Sequence, residues 1–235
     1  GPPKAGFRRP GIWVRMVLMT GKEGDHPGGR FIALDGPDGG GKTTQAARLV
    51  EWLRARGFEV VACRDPGGTA LGERLRSILL DKGNVPIGLR AEMLLFMASR
   101  AQLVEEVIRP ALAAGKVVIS DRFVLANMVY QGVAGGLDVD EVRRVGMAAT
   151  GGLWPDLTVV VDVPPAVATA RVGGPRDRIE DRGDEGRRRL RDGFLGAAGA
   201  YPAPLVIIDG TADVEAVASR LQAEVARALA IDPRP

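Results

Sequence analysis

One cysteine, one histidine and no long apolar run set the first limits on what this 235-residue chain can be. Cys63 has no second cysteine to pair with, so an intramolecular disulfide is excluded, and a reducing compartment such as the cytoplasm is expected. His26 stands outside the patterned part of the chain, which removes histidine catalysis and a histidine-ligated metal from the core. No segment approaches the roughly 20 apolar residues of a membrane helix, and no membrane partner is expected. A net charge of +3 is too small to argue for nucleic acid as a partner, and the pI near 9.3 reflects local arginine-rich patches. Internal repeats and low-complexity segments are also missing.

What remains is ordinary globular material, 46% hydrophobic and 26% charged. Residues 1–29 carry Pro, Gly and scattered basic residues without periodicity. They are read as an N-terminal extension outside the fold, disordered or partly left from cloning, with Met16 or Met19 as candidate natural starts. From residue 30 to 235 the chain reads as a single domain. Short apolar runs at Phe31–Asp35, Glu59–Cys63, Lys116–Ser120, Leu157–Asp162 and Leu205–Asp209 read as strands. Helical patterns lie between them: Gln45–Arg56, Leu71–Leu80, Gly88–Leu112, Leu125–Gly132, Val139–Ala149, Pro164–Arg171 and Val214–Ala230. Uniformly apolar strands alternating with helices predict a three-layer α/β sandwich, a five-stranded parallel sheet with helices on both faces. Residues of about 171–185, dense in charge of both signs, are expected to form a short lid. The strand ends carry Asp35, Arg64/Asp65, Asp121/Arg122, Asp162 and Asp209, which places the polar residues on the edge where such folds bind ligands.

The first of these strands runs straight into Gly36-Pro37-Asp38-Gly39-Gly40-Gly41-Lys42-Thr43-Thr44. This is Gly-x-x-x-x-Gly-Lys-Thr between a strand and a helix. The glycines allow successive backbone N–H groups to turn inward on a phosphate, and the helix N-terminus adds its positive end. Lys42 is expected to reach the β- and γ-phosphates of ATP, and the Thr43 hydroxyl to sit on Mg²⁺. A chance glycine-rich turn would not need the correct strand and helix on its flanks. GTPases, ATPase motors and small-molecule kinases share such a loop. No Asn-Lys-x-Asp guanine-reading motif is present, and the compact core with an arginine-rich segment favours a small kinase.

The remaining blocks make the sequence resemble the thymidylate kinase family, P-loop kinases that phosphorylate dTMP with ATP. The blocks are Gly36–Gln45, Arg64-Asp65-Pro66-Gly67-Gly68-Thr69, Leu95–Gln102, Asp121-Arg122-Phe123 to Tyr130-Gln131-Gly132, and Asp177-Arg178-Ile179-Glu180. They occur in family order across about residues 30 to 210. The resemblance implies Mg²⁺-dependent transfer of the ATP γ-phosphoryl group to dTMP, giving dTDP, by a cytoplasmic homodimer. Gly36, Pro37, Asp38, Gly39, Gly40, Gly41, Lys42, Thr43 and Thr44 would bind ATP. Asp38 would also face the acceptor's sugar and phosphate, although a turn-stabilising role is the plainer alternative. Arg122 would cross-link the two phosphate chains with its planar fork. Asp121 would join Thr43 in holding Mg²⁺, or simply cap a helix. Phe96 would stack on thymine and Arg100 bond its carbonyl edge, where residue type alone suggests only core and rim. Asn127 can offer donor and acceptor to a pyrimidine. Tyr130 would lie against the sugar, with Gln131 and Arg76 completing the site and Pro66 in a cis peptide.

The loop interior holds no arginine, so the lid residues Arg176 and Arg178 are expected to supply the missing positive charge and to be catalytic with Lys42 and Arg122. The other charges there, from Arg182 to Arg191, read mainly as a solvated helix face with intrahelical pairs. Three departures stand out. Phe123 replaces a usual Tyr, Leu103 a frequent His, and Val124-Leu125-Ala126 a hydroxyl-bearing stretch. Base choice is therefore less defined than reaction type, and relaxed nucleotide kinases form the alternative among enzymes. A catalytically silent nucleotide-binding switch is the alternative of another class, which intact Lys42 and Arg122 oppose.

Overall fold

Every residue of Phe31–Leu34 is fully buried, which a strand achieves only if both faces of its sheet are covered. In a computed structural model describing residues 28–82, 86–171, 179 and 183–231, this strand, β1 (Arg30–Asp35), is the centre of the sheet. It pairs on one side with β3 (Val117–Asp121) and on the other with β4 (Leu157–Asp162). β2 (Val60–Arg64) adds beyond β3, and β5 (Leu205–Asp209) beyond β4. The order is β2-β3-β1-β4-β5, parallel throughout, as the uniformly apolar strands predict.

Successive side chains of a strand point to opposite faces, and β1 divides accordingly. Phe31 and Ala33 join a core with Met93, Met97, Leu103, Phe123 and Phe194. Ile32 and Leu34 join a second core with Leu49, Leu53, Leu221 and Val225. The second is closed by α1 (Lys42–Arg54) and α9 (Val214–Leu229), the first mainly by α3 (Leu89–Leu103), which α2 (Ala70–Leu80) flanks, and by α6 (Val139–Thr150). Register aligns Leu34 and Arg64 with Asp121, and Asp162 with Asp209, so the polar strand ends share one edge.

The elements differ from the sequence reading in four places. α1 begins at Lys42, not Gln45, because Gly41 (φ 86°) turns the loop directly into the helix. The long pattern at 88–112 is not one regular helix. α3 gives way to a π-helical stretch, Val104–Ile108, and then α4 (Arg109–Ala113). Pro110 has no N–H for an α-helical bond, and the wider preceding turn relieves the ring's clash with the carbonyl four residues back. The expected helix at 125–132 is α5 (Val124–Asn127) running into a second π-helical stretch, Met128–Val133. The charged segment contains an element of its own, α8 (Gly183–Gly196), after α7 (Pro165–Arg171). Arg187, Arg188 and Arg189 pair within α8 as expected, but Arg191 does not. It donates two 2.8 Å bonds to Asp162 at the end of β4, because the helix packs against the sheet edge at that turn. Residues 1–27 and most of the expected lid, including Arg176, Arg178 and Arg182, lie outside the described residues.

Phe194 of α8 is fully buried and meets Tyr130 edge-on at 6.1 Å. Phe194→Ala is expected to lower stability by about 3–5 kcal/mol, measured by denaturant unfolding of the two proteins.

Candidate active site

The glycine loop leaves β1 at a residue with no room for a side chain. A Cβ on Gly36 would lie 2.5 Å from the Val161 carbonyl oxygen, and Gly36 itself adopts φ 131°. Past the loop, the Lys42 ammonium folds back to the carbonyls of Gly36 at 3.1 Å and Pro37 at 2.8 Å. Burial, aided by the nearby Arg122 charge, lowers its pKa to about 8 against the pull of Asp38, Asp121 and Asp35. The Thr43 hydroxyl donates to Asp121 at 2.7 Å, so the loop's hydroxyl and the β3 carboxylate stand side by side. Oxygen donors of this kind suit a hard cation that keeps most of its waters. Among the described residues there is no group of three His, Cys, Asp or Glu able to hold a metal without such help.

Arg122 follows β3 in a left-handed conformation, φ 72°, unusual for a residue with a side chain. Its backbone N–H reaches the Leu34 carbonyl at 2.8 Å, and this anchors the turn to β1. One terminal nitrogen of the guanidinium bonds Asp35 at 3.3 Å and the Gly36 carbonyl at 3.1 Å. The other bonds Asp38 and the Tyr130 hydroxyl. Tyr130 in turn donates to the second Asp38 oxygen at 2.6 Å. Burial would raise the Asp38 carboxyl, but Arg122, Lys42 and the Tyr130 hydroxyl outweigh it and hold the group at about 2. Asp38 is therefore a carboxylate directed at Arg122 and Tyr130, with the Lys42 ammonium 3.9 Å away.

The opposite wall is built from α3 and the helix after β3. Arg100 is 1% exposed and holds four partners. It bonds Asp65, the Phe123 carbonyl at 3.2 Å, the Asn127 carbonyl oxygen at 2.6 Å and Met97 sulfur at 2.9 Å. Asn127 passes a hydrogen bond to Gln131 at 2.8 Å, and Gln131 one to Glu92 at 2.7 Å. Asp65–Pro66 is a cis peptide, and the Pro66 carbonyl accepts from Arg76 at 3.0 Å. Phe123, the residue in place of a Tyr, is fully buried edge-on to Phe31, so its missing hydroxyl concerns the core and not the cleft wall.

These parts enclose one cleft of about 970 Å³. Asp38, Lys42, Thr43, Thr44, Asp121 and Arg122 line it together with Pro66, Arg76, Phe96, Arg100, Asn127, Tyr130 and Gln131. Most of the sequence-predicted residues thus converge; of the loop, Gly36, Pro37 and Gly40 are not part of the lining, and Arg176 and Arg178 lie outside the described residues. The partners of three carboxylates were not foreseen. Asp35 lies under Arg122, Asp65 under Arg100, and Glu92 behind Gln131. Glu92, Phe96 and Arg100 recur every four residues on one helix face, a signal in the sequence that the apolar neighbours obscured.

A parallel sheet in this order, a glycine loop opening into a helix, and a guanidinium beside a second pocket define a P-loop nucleotide kinase. The thymidylate kinase family model matches residues 34–221. Relatives include the thymidylate kinase of Synechococcus sp., 47% identical over 81% of this chain and 91% of its own length. That of Caldanaerobacter subterraneus subsp. tengcongensis is 45% identical over 80% and 91%. The crystal structure of thymidylate kinase from Ehrlichia chaffeensis superposes with a TM-score of 0.68 at 30% identity, over 85% of this chain and 99% of that one. The chain belongs to the thymidylate kinase family.

Asp35 is buried and has a raised pKa, about 6 against an ordinary 3.8, since burial outweighs Arg122 and Lys42. The folded state then holds this proton more tightly than the unfolded one. Its stabilising contribution is complete below pH 3.8 and lost as pH rises to about 6. Relative to Asp35→Asn, the wild type is expected to lose roughly 2–3 kcal/mol across that window, read from urea unfolding at several pH values. A constant difference between the two proteins would contradict this.

Proposed function

We propose that this chain transfers the γ-phosphoryl group of ATP to dTMP, yielding dTDP and ADP for dTTP synthesis. The observation that carries this reading is the shared cleft, in which Arg122 stands between the phosphate loop and the Phe96–Arg100–Asn127 wall. An oxygen of the acceptor phosphate attacks the γ-phosphorus while the bond to the β–γ bridging oxygen breaks, and ADP leaves. Such a transfer asks for positioning and neutralisation of charge more than for covalent chemistry. Gly36 to Thr44 cradle the ATP phosphates, and Lys42 exchanges the Gly36 and Pro37 carbonyls for phosphate oxygens. Arg122 leaves Asp38 for the phosphates, and Asp38 and Tyr130 receive the sugar. Phe96 offers its face to thymine, while Arg100, Asn127 and Gln131 meet its polar edge, and Arg76 takes the phosphate side with Pro66.

Thr43 and Asp121 would hold Mg²⁺, which supplies charge neutralisation on the phosphates when bound. The loop carries no arginine, so Arg176 and Arg178 complete the positive charge over the transferred group. Residues 30–235 act as one kinase domain with a lid of about 171–185, and residues 1–29 are an extension outside it. The partners are these two nucleotides and no nucleic acid, and the enzyme works in the cytoplasm. Among the described residues no helix is long and apolar enough to cross a membrane.

In an ADP-release assay across dTMP, dUMP, UMP and dCMP, dTMP is expected to have the highest kcat/KM, and Arg122→Ala to lower it at least about 1,000-fold. A better acceptor than dTMP, or near-normal turnover of the variant, would sink the reading. We also propose a homodimer formed through the α2–α3 side, where Leu71, Ile78 and Leu94 are 45%, 45% and 50% exposed. Light scattering is expected to give twice the 24.9 kDa chain mass, and Leu94→Glu to shift the protein toward monomer.

A further inference from the structure

Behind the cleft wall runs a chain of hydrogen bonds with a fixed direction. Arg100 donates to the Asn127 carbonyl oxygen, the Asn127 amide to the Gln131 carbonyl oxygen, and the Gln131 amide to Glu92. All four residues are at most 3% exposed. The two middle groups are side-chain amides, whose oxygen and nitrogen ends are nearly the same in shape and opposite in hydrogen bonding. The two outer groups have only one sense each, because a guanidinium only donates and a carboxylate only accepts. Turning either amide over would bring donor against donor or acceptor against acceptor at its outer neighbour, and break its bond to the other amide as well. The chain therefore has one low-energy polarity, set from both ends.

Asn127 and Gln131 both line the cleft, whereas Glu92 does not. Each amide keeps one N–H and one oxygen lone pair beyond those used in the chain. We infer that Glu92 is a positioning residue for base selection: through Gln131 it locks the amide polarity that accepts a 4-oxo pyrimidine and rejects a 4-amino one. A 4-oxo base presents a donor at N3 and an acceptor at position 4, and a 4-amino base presents the reverse. Locked amides match only one of these patterns. The inference rests on the reading of this cleft as a dTMP site.

The test compares kcat/KM for dTMP, dUMP and dCMP in wild type, Glu92→Gln and Glu92→Asp. Glutamine can donate or accept, so Gln131 turns over at the loss of one bond instead of two. The dTMP/dCMP ratio is expected to fall about ten-fold, the worth of one buried hydrogen bond. Aspartate stays acceptor-only and is expected to keep the ratio even if turnover drops. The dTMP/dUMP ratio is expected to hold in every variant, since those bases share one hydrogen-bond pattern, whereas a loosened pocket lowers both ratios together. If Glu92→Gln does not fold, Glu92→Ala replaces it, because water entering the space also donates and accepts. An unchanged dTMP/dCMP ratio in the folded variant, an equal fall in both ratios, or a fall in Glu92→Asp overturns the inference alone. A wild type inactive on dTMP overturns the kinase assignment, and the inference with it.

Discussion

Two carboxylates, Asp35 at the end of β1 and Asp38 inside the glycine loop, share the single guanidinium of Arg122. Arg122 is itself tied through its backbone to β1 and held in a left-handed conformation. This contact sets the distance between the phosphate loop and the turn after β3, and with it the relation of the two halves of the cleft. Burial alone would make two acids and a nearby lysine difficult to keep charged. The field of Arg122 and Lys42 resolves this for Asp38, with the Tyr130 hydroxyl helping, and only partly for Asp35, whose pKa stays near 6. The loop and the arginine are therefore one electrostatic unit, and Tyr130 fastens it to the opposite wall.

That wall relies on a second buried cation. Arg100 takes Asp65 on one side and Asn127 on the other, and its guanidinium lies 5.4 Å from the Phe123 ring. Breaking a buried pair of this kind by removing one partner is strongly destabilising, so the wall depends on Arg100 and Asp65 being kept together. Tyr130 and Gln131 sit in a π-helical stretch, a local widening of the helix that recurs at functional sites. Both cations line the cleft, Arg122 beside the glycine loop and Arg100 in the wall built from α3. Together they explain why so much of the polar chemistry of the chain is buried.

Much of the site was legible because its chemistry is local in sequence. Gly36 to Thr44 form one uninterrupted turn, Asp121 and Arg122 are adjacent, and Phe96, Arg100, Asn127 and Tyr130 lie at helical spacings. The sheet was legible too. In β4, Leu157, Val159, Val160 and Val161 are all buried, and a strand apolar on both faces is stable only between two layers. The partners of the carboxylates Asp35, Asp65 and Glu92 were not legible. Each carboxylate finds its partner 35 or more residues away, and no spacing rule connects them. The π-helical stretches escaped for a related reason, because their apolar pattern differs little from that of an α-helix until the packing is known.

Residue order alone therefore carries the three-layer architecture, the strand edge that gathers the polar residues, the glycine loop and the family. Each of these follows from periodicity or from a contiguous set of residue types. The directions in which the polar groups point are a property of the packed chain. Packing turned Asp38 toward Arg122 and Tyr130, drew Arg191 out of its helix face to Asp162, and joined Arg100, Asn127, Gln131 and Glu92 into one directed chain. Hydrogen bonds and ion pairs need contact at about 3 Å, and contact between distant segments exists only once the sheet has brought them to one edge.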